Sequence, residues 1–140
     1  MSASTKLSNS VKALYFLAMH SPEPQSSNTI SKSTGVNASK IRKLLSDLAK
    51  VGIVTTTQGA RGGFVLARQP QDIHLQEIYC AIEDRKAFHL DVTEIHGKKH
   101  AAEGVNVYFL QLFSDIQVEI EDKMRKISLK SIMENISSSK

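Results

Sequence analysis

The chain has 140 residues, an apolar fraction of 41%, a charged fraction of 23% and a net charge of +4. These values fit one packed domain, or a small domain with an appended helix, and exclude a disordered polyelectrolyte. The charge is unevenly spread: residues 1–70 sum to +7 and residues 71–140 to −3, an asymmetry that points to a polyanion-binding portion.

No apolar run nears the roughly 20 residues of a membrane span, and the first residues carry no secretory leader pattern. One cysteine, Cys80, excludes an intramolecular disulfide framework and fits a reducing, cytoplasmic setting. A first helix is predicted from about Ser4 to His20, with Leu7, Val11, Leu14 and Ala18 as its stripe and Phe16 and Leu17 widening it. Pro22 and Pro24 stop it. Ser26 or Ser27 caps a second helix over about Asn28–Thr34, and Gly35 ends that helix in the left-handed region. Val36 is expected in the core, and Asn37 is a good N-cap for a third helix, Ala38–Lys50.

That third helix carries Ile41, Leu44, Leu45 and Leu48 at the spacing of one buried stripe, with Ser39, Lys40, Arg42, Lys43, Ser46 and Lys50 around the rest. Three residues, Gly35 to Asn37, separate the two helices, which is the tight turn of a helix-turn-helix. A generic helical hairpin with a basic outer face is the plain alternative. The next segment argues against it. Ile53–Gln58 and Phe64–Ala67 read as extended runs joined by Gly59-Ala60-Arg61-Gly62-Gly63. The glycines allow positive φ and a close backbone approach to another molecule, and Arg61 at the tip suits a minor groove or a phosphate. No Lys-Ser/Thr follows the glycines and no helix starts there, so a nucleotide-phosphate loop is discounted.

After Pro70, residues 74–83 read as a helix with Leu75, Ile78, Tyr79 and Ile82 on one face and Cys80 off it. Residues 84–104 show no period and read as a loop holding His89, His96 and His100. These histidines, with Asp91, Glu94 or His74, do not match a tight metal motif, so they read as solvated groups and no metal site is expected. Cys80 is the candidate redox sensor; the competing reading is a structural cysteine buried beneath the long helix that follows. Tyr79, Phe88 and Tyr108 would line a small-molecule pocket, or are simply core.

Val105–Ile127 forms a long amphipathic helix with Val105, Phe109, Leu112, Phe113, Ile116, Ile120 and Met124 on one side. At about 1.5 Å per residue it reaches roughly 35 Å, too long for a small core to cover, so the stripe implies a partner helix and a homodimer. Residues 128–140 read as a short further helix and a polar tail. The chain thus divides into residues 1–83 (DNA-binding), 84–104 (loop, candidate effector segment) and 105–140 (dimerisation helix and tail). The fold class is mainly α with a small β-wing.

Lys6-Leu7-Ser8, Ala13-Leu14, Gly35-Val36-Asn37, Ile41, Leu44-Leu45, Leu48, Gly52, Arg61-Gly62-Gly63-Phe64 with Leu66-Ala67, and Ile73 with Leu75 together resemble the Rrf2 family of bacterial transcription regulators. The resemblance spans nearly the whole chain. It implies a homodimer in which each subunit sets its third helix in a major groove and its wing in the neighbouring minor groove. Two features depart from the family. Several members hold an iron–sulfur cluster with three cysteines in the stretch matching residues 84–104, and here that stretch has none. The cluster-binding members also place a glutamate early in the recognition helix, where this chain has Arg42. The chain is closer to the cysteine-poor branch, and no cofactor is expected.

The resulting expectation is a repressor that binds a pseudo-palindromic site on double-stranded DNA and answers an unknown redox or small-molecule signal. Ser39, Lys40, Arg42 and Lys43 face the major groove or its flanking phosphates. Arg61, Gly62 and Gly63 form the wing contact, and Lys6, Ser27 and Thr29 position the DNA backbone. A winged-helix protein–protein adaptor without DNA binding is the alternative. An enzyme is not expected, since no nucleophile–base pair, apolar carboxylate pair or nucleotide loop is visible.

Overall fold

The computed structural model describes residues 3–83 and 101–138. Its elements run α1 (Ala3–Met19), α2 (Ser27–Thr34), α3 (Ala38–Lys50), β1 (Val54–Thr57), β2 (Gly63–Leu66), a 3₁₀ turn (Pro70–Asp72), α4 (Leu75–Ile82), α5 (Ala101–Arg125) and α6 (Leu129–Ser138). The fold is mostly helical with one antiparallel hairpin, in the register Val54↔Leu66, Thr55↔Val65, Thr56↔Phe64 and Thr57↔Gly63.

Local chemistry accounts for the starts of α2 and α3. Ser26 Oγ accepts from Thr29 N–H at 3.1 Å and begins α2. Gly35, at φ +77°, ends it while its N–H donates to Ser31 O. Asn37 Oδ1 accepts from Ser39 N–H at 2.8 Å and begins α3. The core is then built from Leu14 and Leu17 of α1, Ile30 of α2, Ile41, Leu45 and Leu48 of α3, Ile78 of α4 and Leu129 of α6, all essentially without exposure. Each such side chain contributes about 1.5–3 kcal/mol by leaving water.

Two expectations change. The buried face of α1 is Ser10, Ala13, Leu14 and Leu17, whereas Leu7 and Val11 are half-buried at its edge. A serine on the core face hides that stripe from a reading based on hydrophobicity. Leu129, expected with the dimerisation arm, is buried in the core of the first half. Leu75 N–H donates to Ile127 O, and Leu129 N–H to Ile73 O, both at 2.8 Å, so α6 is stitched onto the segment that leads into α4.

The wing is locked to the rest of the fold at its own base. Gln25 N–H donates to Phe64 O at 3.0 Å, and Phe64 N–H donates to Gln25 O at 2.9 Å. This pairing brings the backbones so close that a Cβ on Gly63 would stand 2.5 Å from Gln25 O, and within the wing turn itself one on Gly62 would stand 2.4 Å from Thr57 O. The close approach that these glycines permit is therefore made to the chain's own backbone. Beyond the hairpin, Arg68 donates to Gly52 O at 3.3 Å, to Asp72 O at 3.3 Å and to Glu77 Oε1 at 2.8 Å, clamping the end of α3 and the 3₁₀ turn to α4.

Burial raises the affinity of Glu77 for its proton, but the hydrogen bonds from Arg68 and His74 N–H and the charges of Arg68 and His74 outweigh it, so the carboxyl titrates below the ordinary 4.5. Because the folded group is the more acidic, its contribution is complete above 4.5 and is lost as pH falls through the lower folded value. Thermal melts from about pH 5 downward should show the wild type losing stability faster than Glu77→Gln, and equal slopes would remove the clamp. Gly63→Ala should cost about 1–3 kcal/mol in chemical unfolding, since backbone must move to admit the methyl. Gly104→Ala, with open space around its Cβ, should be neutral or slightly stabilising.

Candidate nucleic-acid interface

With Ile41, Leu44, Leu45 and Leu48 facing inward, helix geometry turns Ser39, Lys40, Arg42, Lys43, Ser46 and Lys50 of α3 outward, and all six are exposed. They are not electrically equivalent. Asp47 lies 3.0 Å from Lys43 Nζ and 3.7 Å from Lys50 Nζ, so it offsets part of the charge toward the helix end. Arg42 Nε donates to Ser27 Oγ at 3.2 Å, which ties α2 to α3 and fixes the guanidinium across the helix-turn-helix. Among the described residues, the Lys40 side chain has no hydrogen bond or ion pair. Its charge is available.

The amino-terminal part of α1 meets this face. Thr5, Lys6, Asn9, Ser39, Lys40, Lys43 and Leu44 line one groove, so Lys6, Lys40 and Lys43 share a single concavity although they are far apart in sequence. Three ammonium groups held around a groove repel one another and favour a polyanion that brings phosphates. Thr29 is exposed at the start of α2, its Oγ1 2.9 Å from Ser26 Oγ. Ser27 is half-buried behind Arg42.

Gly59, at φ +99°, begins the turn of the wing, and Gly62 N–H closes it on Gly59 O at 3.0 Å. Thr57 Oγ1 accepts from Gly63 N–H at 3.0 Å. Arg61 stands exposed at the tip, and among the described residues its side chain has no hydrogen bond or ion pair. A Cβ would be crowded at Gly62 by the turn itself and at Gly63 by Gln25, whereas Arg61 makes no such packing contact.

The sensor expectations fare differently. Cys80 is exposed rather than buried beneath α5. The helix nevertheless reaches it, for Cys80 Sγ lies 3.4 Å from Glu121 Oε1. The same carboxylate oxygen accepts from Gln76 Nε2 at 3.1 Å, while Gln117 Nε2 donates to Glu121 Oε2 at 2.8 Å and to Tyr79 Oη at 3.3 Å. This polar seam between α4 and α5 was not anticipated. Its one sequence sign is Gln117, a glutamine between Ile116 and Ile120 that proves buried. Tyr79 is buried and Tyr108 is 64% exposed, so they do not line one pocket. Phe88, His89, Asp91, Glu94, His96 and His100 lie outside the described residues.

Comparison with known proteins places this geometry. The profile described as "Rrf2: Iron-dependent Transcriptional regulator" matches residues 3–135. The HTH-type transcriptional regulator IscR of Aliivibrio salmonicida is 28% identical over 134 residues, covering 95% of this chain and 77% of that protein. The structure of T. potens IscR superposes with a TM-score of 0.71 at 26% identity, covering all of this chain and 91% of that one. CymR, the global cysteine regulator of B. subtilis, shares the fold, with a TM-score of 0.69 at 20% identity over 96% of this chain and 98% of its own.

The family description names iron, and the donor set here does not fit a thiolate-held cluster. The chain has one cysteine, against the three or four ligands such a cluster takes. Among the described residues, no group of three His, Cys, Asp or Glu side chains converges on a metal position, and no helix is long and apolar enough to cross a membrane. A helix-turn-helix with a cationic outer face, a wing tipped by an unpaired arginine and a family match over residues 3–135 lead to one conclusion: the chain belongs to the Rrf2 family of DNA-binding transcriptional regulators.

Proposed function

We propose that the chain acts as a homodimeric repressor on a pseudo-palindromic operator. Each subunit lays Ser39, Lys40, Arg42 and Lys43 along a major groove and Arg61 into the adjacent minor groove, with Lys6, Ser27 and Thr29 against phosphates and Gly62 and Gly63 shaping the wing. The observation that supports this best is the convergence of Lys6, Lys40 and Lys43 on one groove, beside a wing whose base is hydrogen-bonded to the residue before the α2 cap. Helix face and wing tip thus move as one body. A twofold pair of such bodies reads two half-sites about 34 Å apart, and a dimer covering both excludes other proteins from that DNA.

Dimerisation is assigned to α5, through Val105, Phe109, Leu112, Phe113, Ile116, Ile120 and Met124. Its support is the exposure of the amino-terminal half of that helix, where Val105 and Phe109 remain uncovered. The α4–α5 seam, where Cys80 meets Glu121, joins the reading half to the dimer helix and is the place where a redox or small-molecule signal would act. The adaptor reading is not favoured, because it leaves the exposed cations of α3 and the wing without a purpose.

Gel shifts with an operator duplex test the interface. Arg61→Ala, and Lys40→Ala with Arg42→Ala, should each weaken binding about tenfold or more, at unchanged melting temperature. The same variants should lower the salt slope by roughly one for every phosphate they no longer neutralise. Unchanged affinity in both would displace the interface. Asp47→Asn should tighten binding to random-sequence DNA about two- to fivefold at low salt, since Lys43 and Lys50 lose their internal counter-ion. A weaker complex would show that Asp47 holds the helix face in shape instead.

A further inference from the structure

Among the described residues, a single side-chain hydrogen bond joins α2 to α3, from Arg42 Nε to Ser27 Oγ at 3.2 Å. It divides the arginine's donors unequally. A guanidinium carries its N–H groups in one plane, and this bond commits the one on Nε. Among the described residues, neither Nη group has a partner, and Arg42 is in no ion pair. The nearby acid, Asp47, serves Lys43 and Lys50 instead. The serine is divided in the same way. Its oxygen accepts from Arg42, and its own proton meets no acceptor among the described residues.

Position on the helix separates this arginine from the lysines. At about 100° per residue, Arg42 and Lys40 stand on opposite sides of the buried Ile41. Lys40 joins Lys6 and Lys43 in the groove beside α1, whose lining omits Arg42. The α1 flank of α3 therefore carries ammonium groups, compact point charges that suit phosphates. The α2 flank carries the one arginine of the helix, a planar fork that suits two adjacent acceptors. With Nε tied to Ser27, the edge left to meet DNA is the end-on pair, Nη1 and Nη2. In the major groove, guanine alone shows two acceptors, O6 and N7, on one base. Adenine sets an amino donor beside its N7, and a group that only donates matches it poorly. A phosphate could take the same fork, but the backbone on this flank is met first by α2, the helix that crosses it, with Ser27 at its start.

We infer that Ser27 is a positioning residue that presents Arg42 end-on to a guanine in each half-site, while its own hydroxyl proton goes to the flanking phosphate. Backbone contact and base reading are then one hydrogen-bonded chain, from phosphate through Ser27 and Arg42 to guanine. Base preference becomes sensitive to position 27, which touches no base. This rests on the DNA-reading assignment of α3 and deepens it by naming the base.

The test uses full-length wild type, Arg42→Ala, Ser27→Ala and Ser27→Thr, each checked for fold by circular dichroism. A duplex selected by the wild type from a random pool is remade with each guanine changed to adenine or to 7-deazaguanine, which lacks the N7 acceptor. The expected result is a guanine in each half-site at which both changes weaken wild-type binding about tenfold. Arg42→Ala should bind the three duplexes within about twofold of one another. Ser27→Ala should cut the tenfold preference to about threefold, and Ser27→Thr, which keeps the hydroxyl, should restore it. If Arg42→Ala keeps the preference but loses affinity on every duplex and about one unit of salt slope, Arg42 is a phosphate contact. That result overturns the inference while DNA reading by α3 stands. A wild-type preference in Ser27→Ala, or no rescue by Ser27→Thr, overturns the positioning role. A wild type that binds no duplex overturns both the inference and the assignment beneath it.

Discussion

Two backbone hydrogen bonds, between Gln25 N–H and Phe64 O at 3.0 Å and between Phe64 N–H and Gln25 O at 2.9 Å, hold the wing against the residue that precedes the α2 cap. They require glycine at position 63, where any Cβ would meet Gln25 O. Through them, Arg61 at the wing tip and the cations of α3 belong to one rigid surface. These bonds add to the anchoring that Ile53 and Val54 provide in the core, with Phe64 and Leu66 packed against it, a support that an isolated two-stranded ribbon would lack. The positive face of this protein is thus a product of backbone geometry as much as of lysine count.

The reading helix and its frame were legible because they follow local rules. The 3.6-residue spacing of Ile41, Leu44, Leu45 and Leu48, the Asn37 cap and the left-handed stop at Gly35 all depend on neighbours a few residues apart, and α3 runs from Ala38 to Lys50 as expected. The features that escaped depend on distant partners. The Arg68 clamp spans 16 residues to Gly52 and nine to Glu77, and the meeting of Lys6 with Lys40 and Lys43 requires α1 to pack beside α3. Ser10 hid the true core face of α1, since a buried serine carries no hydrophobic signal. Leu129 looked like part of a tail because its core partners come from the opposite half of the chain.

Where regulation enters is narrowed by chemistry. A single cysteine leaves too few thiolates for the cluster that the family description suggests. What joins the two halves of the molecule is instead a polar seam, Gln76, Tyr79 and Cys80 on α4 against Gln117 and Glu121 on α5. Buried polar pairings of this sort fix one register of two helices, because any slip would strand the Gln117 amide without partners. The seam thus fixes α5 against α4, and Arg68 in turn ties α4 through Glu77 to Gly52 at the end of α3.

Hydroxyl-radical footprinting on the tightest duplex selected from a random pool tests the central claim most directly. The expected pattern is two protected patches on each strand, symmetric about a centre, with half-site centres about 34 Å apart or a multiple of that. A single asymmetric patch, or no protection at concentrations where the chain is folded and dimeric, would contradict the picture of paired reading surfaces.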